Sequence, residues 1–200
     1  MQKKTRNTLT VKQQNKKKRC PWVSSDELYI KYHDTEWGMP VRDDKKIFEF
    51  LVLESAQAGL SWITILRKRE NYRKAFSNFD YKKVAKYSLR DVKRLLGNSG
   101  IVRNRLKIEA TISNAKKFLE VQKEFGSFSK YMWSFVNNKP IKNKIKTSKD
   151  YKPTSIEGDA LAKDLKKRGF KFLGPTIVYA HMQAIGMVND HTVSCFRYKK

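Results

Sequence analysis

Four of the five cysteine and histidine residues in this 200-residue chain stand as two pairs near its ends. Cys20 and His33 are spaced C-x12-H, and His191 and Cys195 are spaced H-x3-C. On a helix, the i, i+4 separation of the second pair would put both side chains on one face. Two thiolates and two imidazoles satisfy a tetrahedral Zn²⁺ with no open position, the ligand set of a structural site holding one ion per chain. Such a site would clamp the N-terminal segment to the C-terminus, and it leaves no coordination position for a zinc-bound water nucleophile. The H-x-E and P-C-x-x-C elements of a zinc deaminase are absent from the sequence. The same spacings also admit a Cys20–Cys195 disulfide or two free core thiols. The remaining histidine, His181, lies in an apolar stretch and reads as a core residue.

A second candidate for chemistry is Glu54. It falls three residues after Leu51 and seven after Ile47, on the apolar side of an expected helix. A carboxylate there is costly unless it is paired, and such residues are enriched at functional sites. The competing reading has it reaching the rim to meet one of the many lysines or arginines. Close by, Gln57-Ala58-Gly59-Leu60-Ser61-Trp62 forms a turn broken by glycine, while Trp22, Tyr29, Tyr32 and Trp37 crowd the first cysteine–histidine segment. Aromatic rings beside a buried acid could wall a pocket for a flat, cationic base; they could equally be core. A third feature, Arg168 to Thr176, reads as the turn of a helix-hairpin-helix. Gly174 supplies backbone freedom and Pro175 suits the first helical turn. Free N–H groups there, with Lys171 and Thr176 alongside, can grip a DNA phosphate without reading sequence. An ordinary pair of antiparallel helices would look the same.

The elements that must position these residues are helical. Ile47, Phe48, Leu51, Val52 and Ser55 follow helical spacing, and a second helix runs from about Ser61 to Phe76. Ser88 with Asp91 predicts a capped third helix ending near Gly97. A long helix covers about Asn104 to Phe125, and a short one Phe128 to Phe135. Asn137 to Thr154, with Pro140 and Pro153, reads as a surface loop. Ser155–Arg168 and Pro175–Val188 then form the hairpin pair. Alternating strands and internal repeats are not apparent, so the fold class is all-α, a single compact domain.

Charge bounds the partners. The chain carries 44 Lys and Arg against 19 Asp and Glu, a formal net charge of +25. Residues 1–19 hold eight of the basic residues, no acidic ones and no aromatic, so residues 1–18 are expected to be a disordered arm. The rest of the chain keeps +17, enough to point to a polyanion. Its 12% aromatic content excludes a wholly disordered basic protein, and two cysteines exclude a disulfide-rich secreted scaffold. The N-terminus has no apolar run of a secretory signal, and Phe172–Val188 is short of the roughly 20 residues that span a bilayer. A cytoplasmic location, with no membrane partner, is the resulting expectation.

Taken together these residues resemble the DNA-3-methyladenine glycosylase I family, the Tag type. The matching segments are RCPWV (Arg19–Val23), LYIKYHDTEWG (Leu28–Gly38), LESAQAGLSWITIL (Leu53–Leu66), KRENYRKAF (Lys68–Phe76), GIVRNRLKI (Gly100–Ile108), WSFVN (Trp133–Asn137) and KKRGFKFLGPTIVYAHMQAIGMVNDH (Lys166–His191). They run in order through nearly all of residues 19–197, making residues 19–200 one glycosylase domain. The resemblance implies a structural zinc on Cys20, His33, His191 and Cys195, and a base pocket of Glu54, Tyr32, Trp37 and Trp62. It also implies membership of the helix-hairpin-helix glycosylase superfamily, with Lys171, Gly174 and Thr176 at the DNA backbone.

The implied activity is base excision repair: hydrolysis of the N-glycosidic bond of 3-methyladenine, flipped from alkylated double-stranded DNA by a monomer, leaving an abasic site. Methylation at N3 makes the base cationic and a good leaving group, so selectivity becomes the harder task. Stacking on Trp37 or Trp62 contributes about 0.5–2 kcal/mol of cation–π attraction. Glu54 can accept a hydrogen bond from the exocyclic amine and favour the positive charge. Its role is therefore chiefly recognition, with a direct catalytic part left open. Where other superfamily members carry an Asp that stabilises the sugar cation, this chain reads Val188-Asn189-Asp190-His191, and Asn189 is expected in that slot with Asp190 adjacent. Leu60 is the candidate wedge that fills the vacated stack, and the basic arm is expected to add nonspecific DNA affinity. The alternative is a zinc-stabilised DNA-binding protein without turnover.

Overall fold

The computed structural model describes residues 17–199. Of the expected arm, residues 1–16 lie outside the described residues. Lys18 accepts a backbone hydrogen bond from Phe196, and the Lys17 ammonium lies over the Phe196 ring.

The chain is mostly helical. The first helix, α1 (Glu27–Thr35), was not legible as a periodic pattern; Asp26 caps it by accepting from the Leu28 and Tyr29 amides. Next come α2 (Asp44–Gln57), capped by Asp43, and α3 (Trp62–Ala75). Two short pieces, α4 (Tyr81–Val84) and α5 (Leu89–Leu96), follow, the latter with the expected Ser88–Asp91 capping box. The long α6 (Arg105–Phe125) starts at an Asn104 cap and stops at Gly126 in a left-handed conformation. After α7 (Phe128–Ser134) the chain crosses to α8 (Ile156–Lys167) and α9 (Pro175–Ala184), which pack on each other.

Helix α2 is the axis of the molecule. It packs against α3, α6, α7 and α9, and every residue from Ile47 to Ala56 is buried. A helix covered all round buries its polar residues with its apolar ones, so both of its central acids need a physical account.

Two expectations are corrected. The segment Asn137–Thr154 is not only surface loop: β1 (Ile141–Lys142) pairs in parallel with β2 (Val188–Asn189), and Ile145 is buried. Strands of two residues leave no alternating pattern to read. The last helix ends at Ala184, four residues before the expected Val188. The cause is a close crossing of chain segments. The Gly38 and Val41 amides donate to the Gln183 and Ile185 carbonyls, at 2.9 Å each. Gly186 turns with φ of 69°, where a Cβ would stand 2.2 Å from the Met39 carbonyl carbon. Only glycine fits there, and the helix cannot continue. Among the described residues, no helix is long and apolar enough to cross a membrane.

Candidate functional site

The crossing that ends α9 also brings the chain ends together. Cys20, His33, His191 and Cys195 are all buried, and one donor atom from each lies within 4.8 Å of the other three. His191, just after β2, and Cys195, in a bend, converge without a helix between them, so the expected helical i, i+4 face is not how they meet. Both cysteines are free thiols, which removes the disulfide alternative. The Cys195 thiol's hydrogen bond holds the Cys20 thiol down at about 7.

Each imidazole is oriented by its second nitrogen. His33 Nδ1 lies 2.8 Å from Asp34 Oδ1, leaving Nε2 to face Cys195 Sγ at 3.4 Å. His191 Nε2 lies 3.1 Å from the Trp37 carbonyl, leaving Nδ1 at 3.4 Å from Cys20 Sγ and 3.6 Å from Cys195 Sγ. Arg19 in turn holds Asp34 through two hydrogen bonds. Carboxylate- and carbonyl-anchored histidines are the usual outer shell of a metal site. Tetrahedral S₂N₂ coordination at ordinary bond lengths separates sulfur from nitrogen by about 3.5 Å. The donor set therefore fits one metal ion, with every protein ligand in place. Gly38, at φ of 73°, makes room: a Cβ there would press on the His191 ring at 2.9 Å.

A cavity of about 270 Å³ opens on the other side of Trp37. Trp37 stands edge-on to His191 at 4.6 Å and to Trp22 at 4.8 Å, so it is a shared wall between the cluster and the cavity. Tyr32 and Trp62 form a second wall, their ring centroids 5.2 Å apart. Glu54 is also in the lining, 5% exposed. No cation pairs with it among the described residues, and burial alone raises its carboxyl to about 8. Burial, and then the charge of Glu54, pushes the Tyr32 phenol well above its ordinary range. The Trp62 indole N–H and the Tyr151 hydroxyl are buried without hydrogen-bond partners.

The structure thus gathers Tyr32, Trp37, Glu54 and Trp62 around one cavity. Other lining residues were not singled out as site residues from the sequence: Trp22, Tyr29, Gln57, Tyr151, Lys152 and Gln183. Trp22 and Tyr29 were visible as aromatics near Cys20. Tyr151, Lys152 and Gln183 carried no local signal, since they arrive from a loop and from α9. A second, larger cavity of about 610 Å³ between the β1 region and the start of α8 shares Lys152 with this one.

Asn189 and Asp190 line neither wall of the smaller cavity. Asp190 is 1% exposed and accepts from Tyr179 and Gln183 at 2.8 and 2.6 Å on one oxygen and from Asn143 at 2.7 Å on the other. It fixes Gln183, which does reach the cavity. Asn189 pairs in β2, and its side chain accepts from the His191 amide.

The remaining candidates lie at the surface. Leu60 is 41% exposed in the α2–α3 turn. In the α8–α9 turn, Phe170 and Leu173 are buried while Lys171, Gly174 and Thr176 are exposed. Gly174 caps α9 at φ of −71°, an ordinary extended conformation, so the backbone freedom expected of it is not used, and no side chain caps the first-turn amides.

A family model described as methyladenine glycosylase matches residues 22–198. The chain is 52% identical to DNA-3-methyladenine glycosylase 1 of Escherichia coli (strain K12) over 180 residues, 90% of this chain and 96% of that one. It is 51% identical to the DNA-3-methyladenine glycosylase of Haemophilus influenzae over 178 residues, 88% and 96% of the two chains. A solved structure of 3-methyladenine DNA glycosylase I from Staphylococcus aureus, described in terms of 3-methyladenine recognition, superposes with a TM-score of 0.88 at 41% identity. That match covers 91% of this chain and 97% of the other.

Proposed function

The chain belongs to the methyladenine glycosylase family, and from that premise we propose that it excises 3-methyladenine from alkylated double-stranded DNA, as a cytoplasmic monomer. The observation that carries the reading is Glu54, buried and unpaired in an aromatic-walled cavity. An unpaired acid with a pKa raised to about 8 destabilises the empty site. A cationic ligand relieves that cost by supplying the missing counter-charge. Neutral adenine cannot, so the site discriminates by charge at a buried carboxyl.

Tyr32, Trp37 and Trp62 supply faces and edges for the flipped base, and Glu54 takes the exocyclic amine as a charge-assisted acceptor. Water then attacks the sugar carbon C1′ and the C–N bond to the base breaks. The bonding pair passes to the base and neutralises its positive charge, and the water proton leaves to solvent. Because the leaving group is already activated, no buried acid need protonate it. This is consistent with Asp190 being committed to Tyr179, Gln183 and Asn143 rather than to the cavity.

The α8–α9 turn reads as the hairpin of a helix-hairpin-helix, with Lys171, Gly174 and Thr176 on the DNA phosphates. Leu60 is the wedge. The metal at Cys20, His33, His191 and Cys195 is read as zinc, which in a closed four-ligand site supplies structure and no open coordination position. Incubation with methylated duplex DNA, followed by chromatography of the released bases, tests the reading. Release of 3-methyladenine is expected, and binding of the duplex without release would leave a DNA-binding protein lacking turnover.

A further inference from the structure

Two surface turns display apolar side chains: the α2–α3 turn with Leu60, 41% exposed, and the α8–α9 turn with Phe172, 38% exposed. Each includes a left-handed residue, Gly59 at φ of 80° and Phe172 at φ of 56°. Both are held from the same helix, α6. The Lys107 ammonium donates to the Ala56 carbonyl at 2.9 Å and to the Ala58 carbonyl at 2.6 Å. These are carbonyls that the end of α2 leaves without helical partners, at the negative end of its dipole. Seven residues further along, Asn114 donates to the Lys171 carbonyl and accepts from the Lys171 amide, both at 2.8 Å. Asn114 is 1% exposed. The reciprocal pair fixes the backbone just where it enters Phe172, a conformation that an L residue seldom holds without tertiary support.

An i, i+7 separation puts Lys107 and Asn114 on one side of α6, about 10 Å apart along its axis. Neither lines the base cavity. We infer that α6 is a brace that sets the distance between the wedge turn and the phosphate-gripping turn. Lys107 and Asn114 are its positioning residues for extruding the base. The inference rests on the glycosylase reading above. Duplex DNA has fixed phosphate spacing, so gripping the backbone at α9 while pressing Leu60 into the stack requires the two turns to keep register. A misplacement of about 1 Å at such a site can cost about 100-fold in rate.

Lys107→Met removes the charge while keeping most of the side-chain volume. Asn114→Asp keeps the acceptor but replaces the donor with a charge facing the Lys171 carbonyl. For each variant, kcat and KM are measured for base release from methylated duplex, and affinity for free 3-methyladenine is measured by tryptophan fluorescence. Loss of a hydrogen bond to a fixed partner corresponds to about a tenfold change. Lys107→Met is expected to lower excision at saturating duplex about tenfold, and Lys107→Arg to restore most of it. Asn114→Asp is expected to raise KM for duplex about tenfold while kcat stays near that of the parent. Affinity for the free base is expected to stay within about twofold for both. Free-base binding that falls in step with excision would overturn the brace, because it would show a general structural loss. Variants that match the parent on duplex overturn it as well. A parent protein that releases no base overturns the glycosylase reading, and this inference with it.

Discussion

Glu49 and Glu54 lie five residues apart on α2, both at most 5% exposed, and meet opposite environments. Burial opposes ionisation of Glu49, but Arg69, Arg73 and Lys46 surround it and hold its carboxyl below the ordinary value of 4.5. Glu54 has burial alone and rises to about 8. The rim-pairing role that the sequence allowed for Glu54 is therefore filled by its neighbour. Replacing Glu49 by Ala removes the acid shared by Arg69 and Arg73, leaving them only Glu36 and Glu70, and breaking a buried pair costs about 3 kcal/mol. The expected fall in Tm is roughly 6–12 °C by calorimetry, with excision retained at a permissive temperature. The two acids also have opposite pH signatures. Stability from Glu49, and from Glu36 at about 2, is present above about pH 4.5 and lost on acidification towards pH 2. Glu54 holds a proton that the unfolded chain releases above 4.5, so its contribution falls as pH rises from 4.5 to about 8. On the proposed role of Glu54, excision of the cationic base should rise with pH towards about 8 as the carboxyl ionises, and Glu54→Gln should flatten that profile. A variant with the parent's pH–rate curve would remove Glu54 from recognition.

At the level of elements, the site is assembled where helices end. The cavity that Glu54 and Gln57 line lies beside the end of α2, and the turn that follows carries Leu60. Lys107 compensates the carbonyls at that end, so the turn is held by tertiary hydrogen bonds without regular structure of its own. Leu60→Ala is expected to reduce excision from duplex several-fold while leaving free-base affinity intact, since the side chain is outside the cavity. Single-turnover kinetics on duplex, set against fluorescence titration with free base, would separate the two; equal losses in both would place Leu60 in the pocket instead. The capping box at Ser88 and the helices around Leu51, Ile112 and Val178 were legible because caps and 3.6-residue periodicity are local signals. Helix α1 was not legible. Its buried residues are only Tyr32 and His33, both turned towards the site rather than towards a long apolar face.

Across the whole molecule, the Cys–His cluster and the aromatic-walled cavity share Trp37, so on the proposed reading loss of the cluster should also disturb the pocket. Chelation, or Cys20→Ser, should lower Tm by about 10 °C or more and weaken binding of 3-methyladenine together. Protein never exposed to chelator that contains well under one zinc per chain by emission spectroscopy would refute the clamp. Composition and periodicity alone determined the helical class and the net positive charge, and they marked the two Cys–His pairs and the acid as candidates, because each depends on residue type or short-range spacing. Only the tertiary structure decided which of two buried acids lacks a partner, and that His191 and Cys195 meet the first pair without sharing a helix. It also showed that Tyr151 and Gln183 join the cavity wall and that α6 holds both surface turns. The physical reason is that these properties belong to contacts between segments far apart in the chain. Burial and charge compensation are set by what packs across a gap, and no single stretch of sequence carries that information.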